Sequence, residues 1–310
     1  MLIYNKNGKI VLILMVLFLS VLFTVMNRKE LIADLQNETF DIADTLTETS
    51  VPTAYIANLN LERRELTPEI MGQYPDGKFI PRKIHNEAWT IGERLEFEIT
   101  YSFYTAGSAT MSVLGVVPIN DGQCYQIQTT ARSNDFVSTF YEVRDTVNSY
   151  IDTVGIFSRR IEKKLREGRY KADRYVDFYP DRLIALNTHE KYALTPIPLY
   201  VQDILSSLYF IRTIDLEVGR DIEVVTYADG KVYPLKVFIH KREKVTVPAG
   251  IFTCLKIEPK LQSEGIFRQK GRLVIWITDD KYKIPVKMES KVIIGSVASK
   301  LVSYQTGVTR

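Results

Sequence analysis

Glu93-Arg94-Leu95-Glu96-Phe97-Glu98-Ile99-Thr100-Tyr101-Ser102-Phe103 decides the fold class. Leu95, Phe97, Ile99, Tyr101 and Phe103 recur at every second position, with Arg94, Glu96, Glu98, Thr100 and Ser102 between them. Successive side chains of a strand point to opposite faces, so this rhythm puts the apolar set on a core and the polar set in water. A helix would scatter both sets around its circumference. Residues 93–103 are therefore expected to form a half-buried β-strand.

Outward from this stretch the same alternation recurs over 109–117, 124–131, 156–166, 170–179, 221–227, 233–241, 244–247, 251–258, 271–278, 284–290 and 292–303. Ala106-Gly107-Ser108, Asn120-Asp121-Gly122, Glu167-Gly168 and Asp229-Gly230 stand between runs as turns. Such short links join antiparallel neighbours, because a parallel return needs a crossover of about a dozen residues or more. After Thr195-Pro196-Ile197-Pro198, residues Val201, Ile204, Leu205, Leu208 and Ile211 change to three- and four-residue spacing. That spacing predicts one amphipathic helix over about 200–213. The expected fold is mainly β, a curved antiparallel sheet or partly open barrel with that helix packed on it. The order strand, turn, strand, cysteine-bearing strand occurs twice within 89–310 and hints at two similar halves.

Before the β region, residues 31–88 are polar and punctuated by Pro52, Pro68, Pro75 and Pro81, as in a spacer. Ahead of them, Lys6 and Lys9 precede IVLILMVLFLSVLFTVM at 10–26. At 1.5 Å per residue this run reaches about 25 Å, the lower limit for crossing a hydrocarbon core and slightly long for a signal peptide. Residues 1–30 are thus expected to be either an N-terminal anchor in the inner membrane, with the lysines cytoplasmic, or a cleaved signal peptide. Both place the remainder in the periplasm.

A formal charge of +3 over 310 residues is too small and too dispersed for nucleic-acid binding. His85, His189 and His240 lack zinc spacing, Cys124 and Cys254 form no Cys-x-x-Cys pair, and no phosphate-binding loop or nucleophile elbow is present. No enzyme, metal or cofactor is expected. The two cysteines lie in strand-like runs and admit either a disulfide or two half-buried thiols. Asp203, Ser206, Ser207 and Arg212 on the expected helix would line a cavity mouth or form its solvated face, and charges on amphipathic helices are usually solvated. Trp276 would cover the helix or a ligand, and Asp279-Asp280 reads as a turn. Arg159, Arg160, Lys163, Lys164, Arg166 and Arg169 share one hairpin, suited to an anionic surface or to a charged edge that blocks strand addition.

FVSTFYEVRD at 136–145, the segment from Val201-Gln202-Asp203 to Arg212, VPAGIFTC at 247–254, and Trp276-Ile277-Thr278-Asp279-Asp280 with Ile284-Pro285-Val286 together resemble the bacterial domain of unknown function 3108 family, from about residue 88 to the end. That resemblance implies a β-rich, exported protein of the Gram-negative envelope and carries no catalytic residue with it. Two functions follow as expectations. One is a carrier whose sheet encloses a lipid or other apolar ligand, with Tyr101, Phe103, Asp203, Tyr209, Arg212, Trp276 and Asp280 as its candidate lining. The other is a structural or assembly protein with a filled core, working through its surface.

Overall fold

The computed structural model describes residues 82–188, 193–261, 272–291 and 296–307. The expected anchor or signal segment and the spacer as far as residue 81 lie outside the described residues. Among the described residues no helix is long and apolar enough to cross a membrane.

The elements run β1 (Arg94–Tyr101), β2 (Tyr104–Ile119), β3 (Gly122–Ser133), α1 (Asp135–Ser138), β4 (Arg144–Asp152), β5 (Ser158–Glu167), β6 (Tyr170–Tyr179), β7 (Ile184–Asn187) and β8 (Ala193–Pro196). After these come α2 (Ile204–Arg212), β9 (Ile222–Ala228), β10 (Lys231–Val247), β11 (Gly250–Leu261), β12 (Leu273–Thr278), β13 (Pro285–Lys291) and β14 (Ser296–Gln305). They form one 14-stranded sheet, ordered β8-β7-β6-β5-β4-β3-β2-β1-β14-β13-β12-β11-β10-β9. Each neighbouring pair is antiparallel. The chain thus builds two wings that meet where β1 pairs with β14, and the free edges are β8 and β9. The fold is the expected mainly β sheet, not closed into a barrel.

The core lies between the sheet and α2. Leu95 and Phe97 of β1, Met111 of β2, Ile127 of β3, Leu205, Leu208 and Ile211 of α2, and Val237, Ile257 and Ile277 of the other wing belong to one buried cluster. At full burial each such side chain contributes about 1.5–3 kcal/mol, so this cluster supplies the main stabilising term. The sheet's two edges approach through α2 and its lead-in. The Ser158 amide donates to Val201 O at 3.1 Å, the Gln202 amide to Val225 O at 3.0 Å, and the Tyr227 amide to Gln202 O at 2.7 Å. Residues 201–202 therefore occupy backbone sites of edge strand β9 and link them to β5. Farther along the same seam, Thr195 Oγ1 of β8 donates to Gly230 O at 3.1 Å. Bonds made there leave fewer edge groups for pairing with a second chain.

Several boundaries differ from expectation for local reasons. The alternation of β1 holds through Leu95, Phe97 and Ile99, but the strand ends at Tyr101. Ser102 takes φ 53° at a two-residue turn and leaves Phe103 96% exposed, so Phe103 does not continue the buried face. Residues 106–108 are not a turn and lie inside β2. No break falls at Lys241–Lys244: β10 is continuous there, and its bulge lies between Ile239 and Lys241. β4 gave no alternating signal because Asn148, Ser149 and Asp152 are polar yet buried. Finally, residues 82–88, assigned to the spacer, pack with the sheet: the Arg82 guanidinium sits over the Tyr200 and Phe210 rings, and Ala88 is in the core.

β2 and β3 are so close at Gly107 that a Cβ there would stand 2.1 Å from Arg132 O. Nothing lies within 4 Å of a Cβ at Gly115 in the same strand. Gly107→Ala is expected to cost about 1–3 kcal/mol in urea unfolding of the full chain, and Gly115→Ala less than about 0.5 kcal/mol. Equal effects would show that the two strands are not this close.

Candidate functional site

α2 begins where Asp203, extended at φ −82° and ψ 176°, turns its carboxylate onto the next turn. Oδ1 accepts the amides of Leu205 and Ser206 at 2.8 and 2.9 Å, and Ser206 Oγ accepts the Asp203 amide at 2.8 Å, completing a capping box. Oδ2 accepts the hydroxyls of Ser149 on β4 and Ser158 on β5, both at 2.6 Å. Ser207 Oγ donates to Asp203 O at 2.7 Å and lies 3.0 Å from Thr226 Oγ1 on β9. One carboxylate thereby joins the start of α2 to one wing, and Ser207 joins it to the other. Asp203, Ser206, Ser207 and Thr226 are all buried. The solvated face expected for these residues is absent.

The other end of α2 carries a buried ion pair. Arg212 Nη1 and Nη2 donate to Glu93 Oε1 and Oε2 at 2.8 and 2.6 Å, with side-chain exposures of 0% and 1%. Arg212 also donates to Tyr282 O at 3.1 and 3.2 Å and to Ala88 O at 3.3 Å. Burial alone would lower the arginine's pKa, but the Glu93 carboxylate outweighs it and leaves the pKa raised. Trp89 Nε1 donates to Tyr209 O at 3.0 Å, and its ring meets those of Tyr125 and Tyr209 edge-on at 5.0 and 5.1 Å. Burial raises the pKa of the Tyr209 hydroxyl. Residues 82–93 therefore act as a strap across the second half of α2.

The remaining candidates are dispersed. Tyr101 is half-buried in a small cluster with Ile99 and Val297. Trp276 is buried in the core cluster, with Lys256 and Lys287 5.2 and 4.7 Å from its ring, and donates Nε1 to Glu243 at 2.7 Å. Asp280 Oδ1 accepts Thr278 Oγ1 and the amides of Tyr282 and Lys283, as a turn former does. That turn presents the Tyr282 carbonyl to Arg212.

The basic hairpin is largely neutralised internally. Arg159 is buried on Asp121 and Asp152, which removes it from any anionic contact surface. Arg160 binds Asp177 at 2.7 Å and Arg166 binds Asp173 at 2.6 Å, while Lys163 lies 3.9 Å from Asp229. Lys164 and Arg169 remain exposed. Cys124 and Cys254 are free, buried thiols on β3 and β11, six places apart in the strand order, so the disulfide alternative does not hold. Burial pushes both up to about 12. Among the described residues no three His, Cys, Asp or Glu side chains are grouped as metal ligands would be.

Sequence reasoning missed the end of the sheet formed by the β1–β2, β3–β4 and β5–β6 connections. Asn134 Nδ2 donates to Thr105 O at 2.8 Å and the Asn134 amide to Ala106 O at 2.9 Å, which clips α1 beside the β1–β2 turn. The Gly168 amide donates to Glu142 O at 2.7 Å, bringing the β5–β6 turn alongside. An open groove of about 770 Å³ runs there between Arg132, Ser138, Thr139 and Arg144. Arg132 and Arg144 are cross-strand partners, an arrangement of like charges that is destabilising unless an anion intervenes. Glu142 pairs with Arg144 at 2.8 Å. Phe103, Tyr104, Phe136 and Phe140 are 96, 77, 73 and 72% exposed on these connections. The only sequence signal was the unexplained pair of phenylalanines in FVSTFYEVRD.

The model of the family called protein of unknown function (DUF3108) matches residues 96–302, and the chain belongs to that family. Comparison with curated proteins gives no match. Among solved structures, a β-barrel-like protein of the domain of unknown function DUF1849 from Brucella abortus superposes with a TM-score of 0.50 at 10% identity, over 71% of this chain and 100% of that one. A candidate lipoprotein from Parabacteroides distasonis gives 0.32 at 11% identity, over 73% of this chain and all of that one. A candidate exported protein with a YmcC-like fold from Bacteroides fragilis gives 0.29 at 13%, with the same coverage. The first likeness supports the barrel-like fold and nothing further.

Two measurements test this site. Arg212→Met, which strands Glu93 in the core, is expected to cost about 3–5 kcal/mol, whereas Glu93→Leu with Arg212→Met should recover most of it. Additive losses would contradict the pairing. On the outer face burial pushes the Glu258 carboxyl up, but hydrogen bonds from Arg272, His240 and Lys260 prevail and hold it at about 2. Its folded pKa lies below the unfolded value, so the stabilisation is complete above about 4.5 and is lost as pH falls toward 2. The melting-temperature gap between the native chain and Glu258→Gln should be widest near neutral pH and shrink through that window.

Proposed function

We propose that this chain is an exported envelope protein, non-catalytic, whose curved sheet is a fixed scaffold working through its outer surface. One observation carries this: the space a carrier would reserve for its ligand is occupied by α2, bonded at both ends to buried groups of the sheet and strap. Buried aromatic side chains between α2 and the sheet are engaged with one another. Trp89 packs on Tyr125 and Tyr209, and Phe178 on Tyr227 at 5.2 Å, so a ligand would have to separate them. Export is supported by the lysine-flanked apolar run at 10–26, whose charge and length suit an inner-membrane anchor or a signal peptide.

Locking α2 to the sheet separates this function from a carrier's. Ser207 and Thr226 hydroxyls are 3.0 Å apart, and cysteines at the two positions can be oxidised to a bridge. The full chain with Ser207→Cys and Thr226→Cys should keep the crosslinked neighbours of the native chain in living cells. Native mass spectrometry should give the bare chain mass. A co-purifying lipid, with uptake of a fluorescent fatty acid that the bridge abolishes, would establish a carrier instead.

A further inference from the structure

We infer that the end of the sheet carrying α1 docks on an anionic phospholipid surface. The inference rests on the surface-acting function above and names the partner.

Exposed aromatic residues are ordinary singly, but four on two adjacent connections are not. Phe136 and Phe140 stand with ring centroids 5.7 Å apart and point away from any core. Phe103 sits at the tip of a two-residue turn whose geometry is set by Ser102, so its exposure serves no packing need. Aromatic rings gathered at one end of a rigid sheet suit the headgroup boundary of a bilayer, where an apolar ring and a polar neighbour are both satisfied.

The charges beside these rings select anionic lipid. Arg132 and Arg144, both exposed, are paired across β3 and β4 and line the 770 Å³ groove beside α1. Glu142 pairs with Arg144 and Asp135 also lines the groove, and the exposed Arg169 and Lys171 on the neighbouring hairpin leave this end with a basic excess. A phosphate between the two guanidiniums would relieve their repulsion and accept from both. A lipid phosphodiester there would place its acyl chains on the side of Phe136 and Phe140. A protein partner would need a complementary acidic surface over four protruding rings, which a fluid bilayer supplies without a fitted shape.

The test uses the full chain with Phe136→Cys carrying an environment-sensitive nitrobenzoxadiazole label. Cys124 and Cys254 are buried and stay unlabelled. Val154→Cys, on the β4–β5 turn at the opposite end, provides the control label. Both proteins share residues 10–26, so attachment through that segment affects the two labels alike. On phosphatidylglycerol vesicles the label at 136 should brighten several-fold, shift to the blue and be quenched by lipid-borne nitroxide. Phosphatidylcholine vesicles should give neither change, and the label at 154 should be indifferent to both. Arg132→Gln and Arg144→Gln should each weaken the response about fivefold, as expected for one basic group near a charged surface. Identical responses at 136 and 154, or a response unaffected by either substitution, would overturn the inference. A response at 136 only to added envelope protein would also overturn it, while leaving the surface-acting function standing.

Discussion

Everything in this fold depends on how α2 is held inside a sheet that does not close. An amphipathic helix normally buries one stripe and leaves the other in water. In this chain Ser206, Ser207 and Arg212 are buried as well as Leu205 and Leu208, so the helix is enclosed on more than one side. Enclosure demands that each polar group find a partner, because an unpaired buried donor or acceptor costs about 1–3 kcal/mol. Asp203 meets this demand at one end by accepting from Ser149, Ser158 and two helix amides. Arg212 meets it at the other through Glu93 and the carbonyls of Ala88 and Tyr282.

These two anchors also explain how the long sheet keeps its shape. Its wings pair strand to strand at β1–β14, and the edges β8 and β9 lie at the far ends of the order. The Asp203 carboxylate and Ser207 tie β4, β5 and β9 to one helix, and Arg212 ties the same helix to the start of β1 and the β12–β13 turn. Curvature is thereby fixed from within. What remains adjustable is the outside, where the lysines around Trp276 and the aromatic end around α1 are in contact with solvent.

The sequence carried the fold class further than the site. Period-two alternation in Leu95, Phe97 and Ile99 signalled a strand because that strand has one dry and one wet face, as the structure has it. β4 escaped notice for the opposite reason: its Asn148, Ser149 and Asp152 are polar and buried, and polarity in a linear sequence does not report burial. The helix was visible from its apolar spacing, but its start lies at Ile204, because Val201 and Gln202 are drawn into extended pairing with β5 and β9. Asp203 and Arg212 stood out as residues of interest, yet their partners Ser149 and Glu93 are 54 and 119 positions away. Trp276 and Asp280 were grouped with them on residue type alone, and the structure separates them. The free state of Cys124 and Cys254 was equally beyond the sequence, since strand order decides which cysteines can meet.

Held in this way, α2 is expected to leave the interior only when the whole sheet unfolds. Amide hydrogen exchange across residues 205–212 in the full chain distinguishes such a helix from a detachable lid. The slowest of these amides should exchange at the rate of global unfolding, together with the central amides of β1 and β14, and should follow the same denaturant dependence. Exchange of α2 by a faster, denaturant-insensitive opening while β1 and β14 remain protected would mean that the helix leaves the sheet in the native state, and would contradict a permanently filled interior.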